Sequence, residues 1–357
     1  MRIALVVPPF IAVPPERYGG TELFVAHLAE GLRDVGHDPV VYTIGASTVS
    51  CETRWRTRRG QWPIESALES SLEDLDHSSW ACQDAGDCDL IHLNNAPGLH
   101  LARFVRQPMV YTLHHPHDPA LSRHYARFPR VHYVAISRDQ AQRERLPRLS
   151  VVHHGLQLDR YKLGTGKREY LCFIGRIAPI KGTHTAIAVA RAAGLPLKIA
   201  GEIQPTYQEY WKNEIRPQLG GEIEYVGEVN LREKNQLLGG ARALLFPIHW
   251  EEPFGLVMIE AMACGAPVLA FPRGAVPEVV VHGASGWICR DQDEMSRRAA
   301  GQLPSPAQCR NHAIAHFGTA TMVQRYVSLY AECLHTSSSV PARHQQALLP
   351  ERLPLAS

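Results

Sequence analysis

The sequence carries almost no surplus charge of either sign. Lys and Arg number 37 against 35 Asp and Glu, a formal net charge of +2. Nucleic-acid binding needs an excess of cations to displace counterions, so nucleic acid is excluded as the main ligand. A small phosphorylated ligand stays open, because a few local cations suffice for it. Paired cysteines are also lacking. The eight cysteines, at 51, 82, 88, 172, 264, 289, 309 and 333, include no C-x-x-C pair. This argues against a structural zinc or a thioredoxin-type motif. Their mostly apolar surroundings suit reduced, buried thiols. No stretch of about 18 uncharged apolar residues occurs, so no membrane span is expected. The opening MRIALVVPPF has one Arg and a short apolar run broken by prolines. It reads as a strand and not as a signal peptide, and the expected compartment is the cytoplasm. There is no G-x-G-x-x-G and no Walker A loop, which disfavours a dinucleotide cofactor and a P-loop. No repeat is visible.

What is present is alternation. A chain of 357 residues with 45% hydrophobic content suits two globular domains. Short apolar runs at 2–7, 39–44, 89–93, 109–113 and 132–136 read as buried strands. The segment 23–35 has helical spacing, with Gly36 where a helix would end. Residues 155–168 are polar and glycine-containing and read as a linker. A second series then starts, with strands expected at 170–174, 197–200, 224–226, 243–247 and 267–271. Helices are expected at 183–193, 276–281 and 322–334. Alternating elements imply parallel, doubly wound sheets. Two Rossmann-like domains of similar size would face a cleft at the carboxyl ends of their strands. The domains are expected at 1–160 and 161–316, and 336–357 reads as a flexible tail.

Two segments of the second half carry chemistry. In FIGRIAPIKGT (173–183), Arg176 and Lys181 flank a loop before a helix that Thr183 is placed to cap. Two cations at a helix start suit a diphosphate. Two solvated loop cations are the equal alternative on spacing alone. In WEEPFGLVMIEAMACGAPV (250–268), Pro253 holds Glu252 out of the helix and Glu260 lies two turns inside it. Eight residues at 1.5 Å give roughly 12 Å, a span suited to a nucleotide-sugar. The amides of Phe254, Gly255 and Leu256 are first-turn donors. Glu260 sits in an apolar segment and needs a partner, either a ligand diol or an internal salt bridge.

In the first half, Gly19 and Gly20 lie in YGGTE (18–22), between a strand and a helix. They allow close backbone approach to a ligand, or else make a plain tight turn. TLHHPH (112–117) ends a strand, which places His114 in the cleft, able to donate to a substrate hydroxyl. A metal tract is the minor reading, because only Asp118 adjoins as a carboxylate. Arg54, Arg56, Arg58 and Arg59, with Trp55 among them, form the one basic run. It suits anionic lipid or an acceptor phosphate, but a solvated strand edge is the more ordinary reading.

The pattern resembles the retaining glycosyltransferases of family 4, which have the GT-B fold. The matching motifs are YGGTE (18–22), TLHHP (112–116), VAIS (134–137), FIGRIAPIKG (173–182), EEPFGLVMIEAMACGAPV (251–268) and GAVPEVV (274–280). The resemblance implies a nucleotide-diphosphate sugar donor on the second domain, with UDP-glucose the family-typical guess. It implies Arg176 and Lys181 at the diphosphate and Glu260 at the ribose. Glu252 would contact the sugar beside Phe254, Gly255 and Leu256. Gly19 and Gly20 would lie near the phosphates, His114 near the sugar, and a final helix at 317–334 would cross back onto the first domain. No metal and no cofactor is expected, and the acceptor is a small molecule, glycan or lipid-linked hydroxyl. Peripheral contact with the inner face of a membrane is an option through the basic run. One departure is His154, where many members carry Asn. A catalytically silent nucleotide-sugar binder, or an epimerase or hydrolase on the same fold, is the alternative.

Overall fold

In the computed structural model, residues 1–17 and 19–338 are described. The first sheet has seven parallel strands. These are β1 (Arg2–Val6), β2 (Asp38–Thr43), β3 (Glu52–Trp55), β4 (Leu90–Leu93), β5 (Met109–Leu113), β6 (His132–Ala135) and β7 (Leu149–Val151). Their order is β3-β2-β1-β4-β5-β6-β7. The second sheet has six: β8 (Tyr170–Ile174), β9 (Leu197–Ala200), β10 (Ile223–Gly227), β11 (Ala241–Phe246), β12 (Val268–Ala270) and β13 (Gly286–Ile288). Their order is β10-β9-β8-β11-β12-β13, again all parallel. In each sheet the order reverses once, between β1 and β4 and between β8 and β11. Helices cover both faces, which is why the central strands are apolar along their whole length. β4 and β5, for example, are buried at every residue.

The helix expected at 23–35 starts earlier, at Gly20, and runs to Asp34. The glycine loop is therefore the helix N-terminus itself. The last helix, Thr319–Ser338, lies on the first domain, where Met322, Val323, Tyr326 and Tyr330 join its core. At Gly31 the two helices meet so closely that a Cβ would stand 2.4 Å from Val323. The expected tail loses residues 336–338 to this helix, and the rest of it lies outside the described residues.

The segment read as a linker is packed. Leu156 donates its amide to the Phe317 carbonyl (2.9 Å), and Thr319 donates back to the Leu156 carbonyl (3.1 Å). The two chain crossings between the domains are thus stitched side by side. Two strands (β7 and β13) and the helices Ala67–Asp84, Leu231–Gly240, Gln292–Ala300 and Pro306–His316 were not expected from the sequence, whereas β3 lies where the basic run was read as a strand edge. The helix expected at 276–281 ends at Val279. β3 is the sheet edge. There Arg54 pairs with Glu52, Asp84 and Asp87, each at 2.8 Å, and Arg56 pairs with Asp76. The basic run behaves as a paired edge, and only Arg58 and Arg59 form no ion pair among the described residues. No described helix is long and apolar enough to cross a membrane.

Candidate active site

The reversal points of the two sheets face one cleft of about 490 Å³. Chain ends from β1, β5, β8 and β11 converge there, because loops at a reversal point diverge and leave a crevice. Among the residues lining it are Gly19, Gly20, His114, Arg176, Lys181, Glu252, Phe254, Gly255, Leu256 and Glu260. All the residues expected at the site are therefore brought together.

The glycines differ in purpose. Gly19 caps the helix with φ 146°, and a Cβ there would meet Pro15 at 2.8 Å. Gly20 has no heavy atom within 4 Å of where a Cβ would stand, so it leaves open space over the cleft. On the other side, Thr183 does not cap its helix. Gly182 takes the cap position in left-handed geometry (φ 76°), where a Cβ would lie 2.0 Å from the Pro247 carbonyl oxygen. Thr183 is the first helical residue and is fully buried.

Arg176 follows β8. It forms no ion pair among the described residues, and donates only to the Gln204 side-chain oxygen at 3.3 Å. Lys181 is instead joined to Glu252, Nζ to Oε2 at 2.6 Å, and lies 4.4 Å from the Trp250 ring centre. Trp250 Nε1 donates to the same Oε2 at 2.7 Å. Glu260 is satisfied in the same manner: Oε1 accepts from Lys234 at 2.7 Å and from Tyr161 at 2.8 Å. Of the two alternatives for Glu260, the internal salt bridge is formed. One oxygen sits in an internal salt bridge, and the other has no hydrogen-bond partner among the described residues. The same is true of Glu252. In each buried carboxylate two protein donors converge on one oxygen and offset its burial. The amides of Gly255, Leu256 and Val257 also make no hydrogen bond among the described residues, as first-turn amides.

The histidine tract separates. His114 Nε2 meets Asn94 Oδ1 at 2.9 Å, His115 meets Tyr125 at 2.6 Å, and His117 meets Glu144 at 2.9 Å. Asp118 caps the helix Pro119–Tyr125, accepting from the Ala120 and Leu121 amides. Among the described residues no group of three or more His, Cys, Asp or Glu is arranged to hold a metal ion. Burial, reinforced by His154, His92 and His115, holds the His114 ring well below its ordinary pKa and hence neutral. His154, at the position of the departure, stacks on His114 with ring centres 5.5 Å apart and meets Phe254 edge-on at 5.1 Å. Burial pushes its pKa down to about 3, and its Nδ1 has no hydrogen-bond partner among the described residues.

Several residues in the cleft or bonded to it escaped the sequence reading. Lys234 looks like a helix surface cation, and Tyr161 lay in the supposed linker. Glu202 accepts at Oε1 from Trp62 Nε1 (2.9 Å), which belongs to the loop after β3. Its other oxygen accepts from Gln204, which in turn accepts from Arg176. Glu278 of the GAVPEVV motif reaches the other domain, accepting from the Arg138 and Asp139 amides and pairing with His153 at 2.8 Å. Burial opposes its charge, but those bonds outweigh burial and its pKa falls.

Two Rossmann-like halves sharing one cleft at their reversal points are the arrangement of GT-B enzymes. The comparisons with known proteins agree. The model for glycosyltransferase family 4 matches residues 18–160, and the model for glycosyl transferases group 1 matches 157–303. Glycogen synthase of Mycobacterium tuberculosis is 28% identical over 329 residues, covering 81% of this chain and 75% of its own. AviGT4, a glycosyltransferase involved in avilamycin A biosynthesis, superposes with a TM-score of 0.71 at 25% identity, covering 94% of this chain and 98% of its own. Anabaena HepE in complex with UDP-glucose has a TM-score of 0.69 at 20% identity over 93% of this chain and all of its own. The chain belongs to the group 1 glycosyltransferases of the GT-B fold, and it is a glycosyltransferase.

Proposed function

We propose that the chain transfers a hexosyl group from a nucleotide-diphosphate sugar of the UDP-glucose type to an acceptor hydroxyl, with retention of anomeric configuration and without a metal. The observation that carries this reading is the cleft's division into two kinds of seat. Arg176, with no ion pair, and Lys181 stand by unpaired helix-start amides, which suits a diphosphate. Glu252 and Glu260 each keep one oxygen for hydroxyls, which suits the sugar and the ribose. The complex of HepE with UDP-glucose, on the same fold, is consistent with this donor class.

The chemistry follows from where charge develops. The bond between the anomeric carbon and the diphosphate oxygen breaks, and its electron pair stays on the phosphate. Arg176, Lys181 and the amides of 255–257 stabilise that charge, which is the work a metal would otherwise do. The acceptor oxygen bonds to the anomeric carbon on the same face, and its proton passes to the leaving phosphate oxygen. No side-chain nucleophile is needed. The two domains, held together by the Trp62–Glu202 and Glu278–His153 bonds, exclude the water that would hydrolyse the donor.

The test is a panel of UDP-, GDP- and ADP-sugars with hydroxyl acceptors, read by nucleotide release and by thermal shift. A donor that both stabilises the protein and turns over, giving a product of retained configuration by NMR, is expected. Stabilisation without turnover under any acceptor would favour the silent binder. A covalent glycosyl adduct on any side chain would contradict the same-face step.

A further inference from the structure

We infer that Asn94 is a positioning residue that fixes the proton on Nε2 of His114, so that the ring meets its ligand as a hydrogen-bond acceptor at Nδ1. Asn94 follows β4, next to the end of β5 that carries His114. Its amide group is locked: Nδ2 donates to the Val6 carbonyl at 3.1 Å, and the residue is buried. A carbonyl can only accept, so the amide nitrogen belongs there and Oδ1 is left facing His114. The opposite orientation would set two acceptor oxygens against each other. Oδ1 can likewise only accept, so His114 Nε2, at 2.9 Å, must carry the hydrogen. In a neutral ring Nδ1 is then bare. Nδ1 has no hydrogen-bond partner among the described residues, and His114 lines the cleft. The titratable groups around the ring are His92 on β4, His115 beside it in the chain and His154 on the crossing segment. Phe24, from the first helix, covers it edge-on at 5.0 Å.

A bare imidazole nitrogen in the cleft calls for a donor on the ligand. On the proposed reading that donor is a hydroxyl, of either the transferred sugar or the acceptor. The sequence expectation that His114 donates is thereby reversed. Only the identity of the hydroxyl rests on the proposed function; the proton position does not.

The first test therefore uses the full chain without any substrate. Histidine-15N NMR, with the His114 signals assigned by their loss in His114→Gln, reports which ring nitrogen is protonated. Nδ1 is expected to show the shift of a bare nitrogen and Nε2 that of a protonated one. Asn94→Asp, a carboxylate in the same place, should keep that pattern and raise the ring's pKa by about 1 unit or more. Asn94→Ala should lose the preference between the two nitrogens. A protonated Nδ1 in the wild type, or an unchanged pattern in Asn94→Ala, would overturn the inference whatever the enzyme's substrate. The second test measures Kd for UDP-glucose and for acceptor analogues in which each hydroxyl is replaced in turn by hydrogen and by fluorine. Fluorine accepts but does not donate, so at one position both replacements should weaken binding about tenfold, an effect absent in His114→Gln. That position on the donor assigns the hydroxyl to the sugar; on the acceptor analogue, to the acceptor. Retained binding by the fluorinated compound where the deoxy compound is weak would mean that the ring donates, and would contradict the inference.

Discussion

At the scale of single residues, the cleft solves one problem twice. A buried carboxylate must be paired, yet a binding carboxylate must be available. Glu252 and Glu260 answer by giving two protein donors to one oxygen each. Removing one donor should therefore act on stability and binding together. Tyr161→Phe keeps the ring and deletes one bond to Glu260. It should cost about 1.5–3 kcal/mol in a denaturant titration, the range for a hydrogen bond to a charged group. An unchanged midpoint would show that Lys234 alone satisfies Glu260. Glu252, Arg176 and Lys181 were legible in the sequence because each lies beside a helix start within a short segment, and Glu260 because it is a charge inside an apolar helix. Tyr161 and Lys234 were not, since their bonds to Glu260 span 99 and 26 residues and leave no local pattern. The protonation of His114 was beyond the sequence for the same reason: it depends on a locked amide 20 residues away.

Among elements, the loop after β3 has more consequence than its composition suggests. It sends Trp62 across to Glu202, and from there a bonded chain runs through Gln204 to Arg176. Trp62→Phe keeps an aromatic side chain but removes the N–H that reaches Glu202, along with part of the indole. A fall of about tenfold in kcat/KM for the donor is expected, with little change in melting temperature, since a lost bond to a charged group approaches that size. Unchanged kinetics would mean the chain does not orient Arg176. The central strands were readable because burial on both faces demands continuous apolar runs. β3 (ETRW) showed in the sequence only as a basic edge, because an edge strand carries charge, and both Glu52 and Arg54 are tied into ion pairs. The helix Pro306–His316 was missed although its start carries a readable signal, Ser305 and Gln308 in a capping box. Helix Ala67–Asp84 leaves Leu68 and Leu72 exposed, so its apolar spacing does not mark a buried face.

For the whole molecule, the junction of the two domains is lined with neutral histidines. Burial lowers the pKa of His27 to about 4 and those of His92 and His154 to about 3, and that of His114 falls likewise. The unfolded chain binds more protons at these groups below its ordinary histidine range, so stability should fall as pH drops through about 6.5 toward 3. Glu22 acts oppositely: burial raises its pKa to about 7, so its contribution fades as pH rises from its ordinary value toward 7. Asp74, raised by burial to about 6, and Glu202, also raised, act with Glu22, but the buried histidines outnumber these carboxylates. Glu278, held down by its bonds to His153 and two amides, joins the histidines' side only below the ordinary carboxylate range. Melting temperature should therefore decline steadily from pH 7 to pH 5, and a flat or rising profile would show that the rings are charged in the fold. The central claim, that one cleft between the domains seats a nucleotide-sugar through cations at one end and carboxylates at the other, is tested most directly by titration calorimetry. The nucleotide-sugar that gives the largest thermal shift should be titrated into wild type, Lys181→Ala and Glu260→Gln. Each variant should bind at least about tenfold more weakly while still melting cooperatively. Wild-type affinity in both variants would contradict the account.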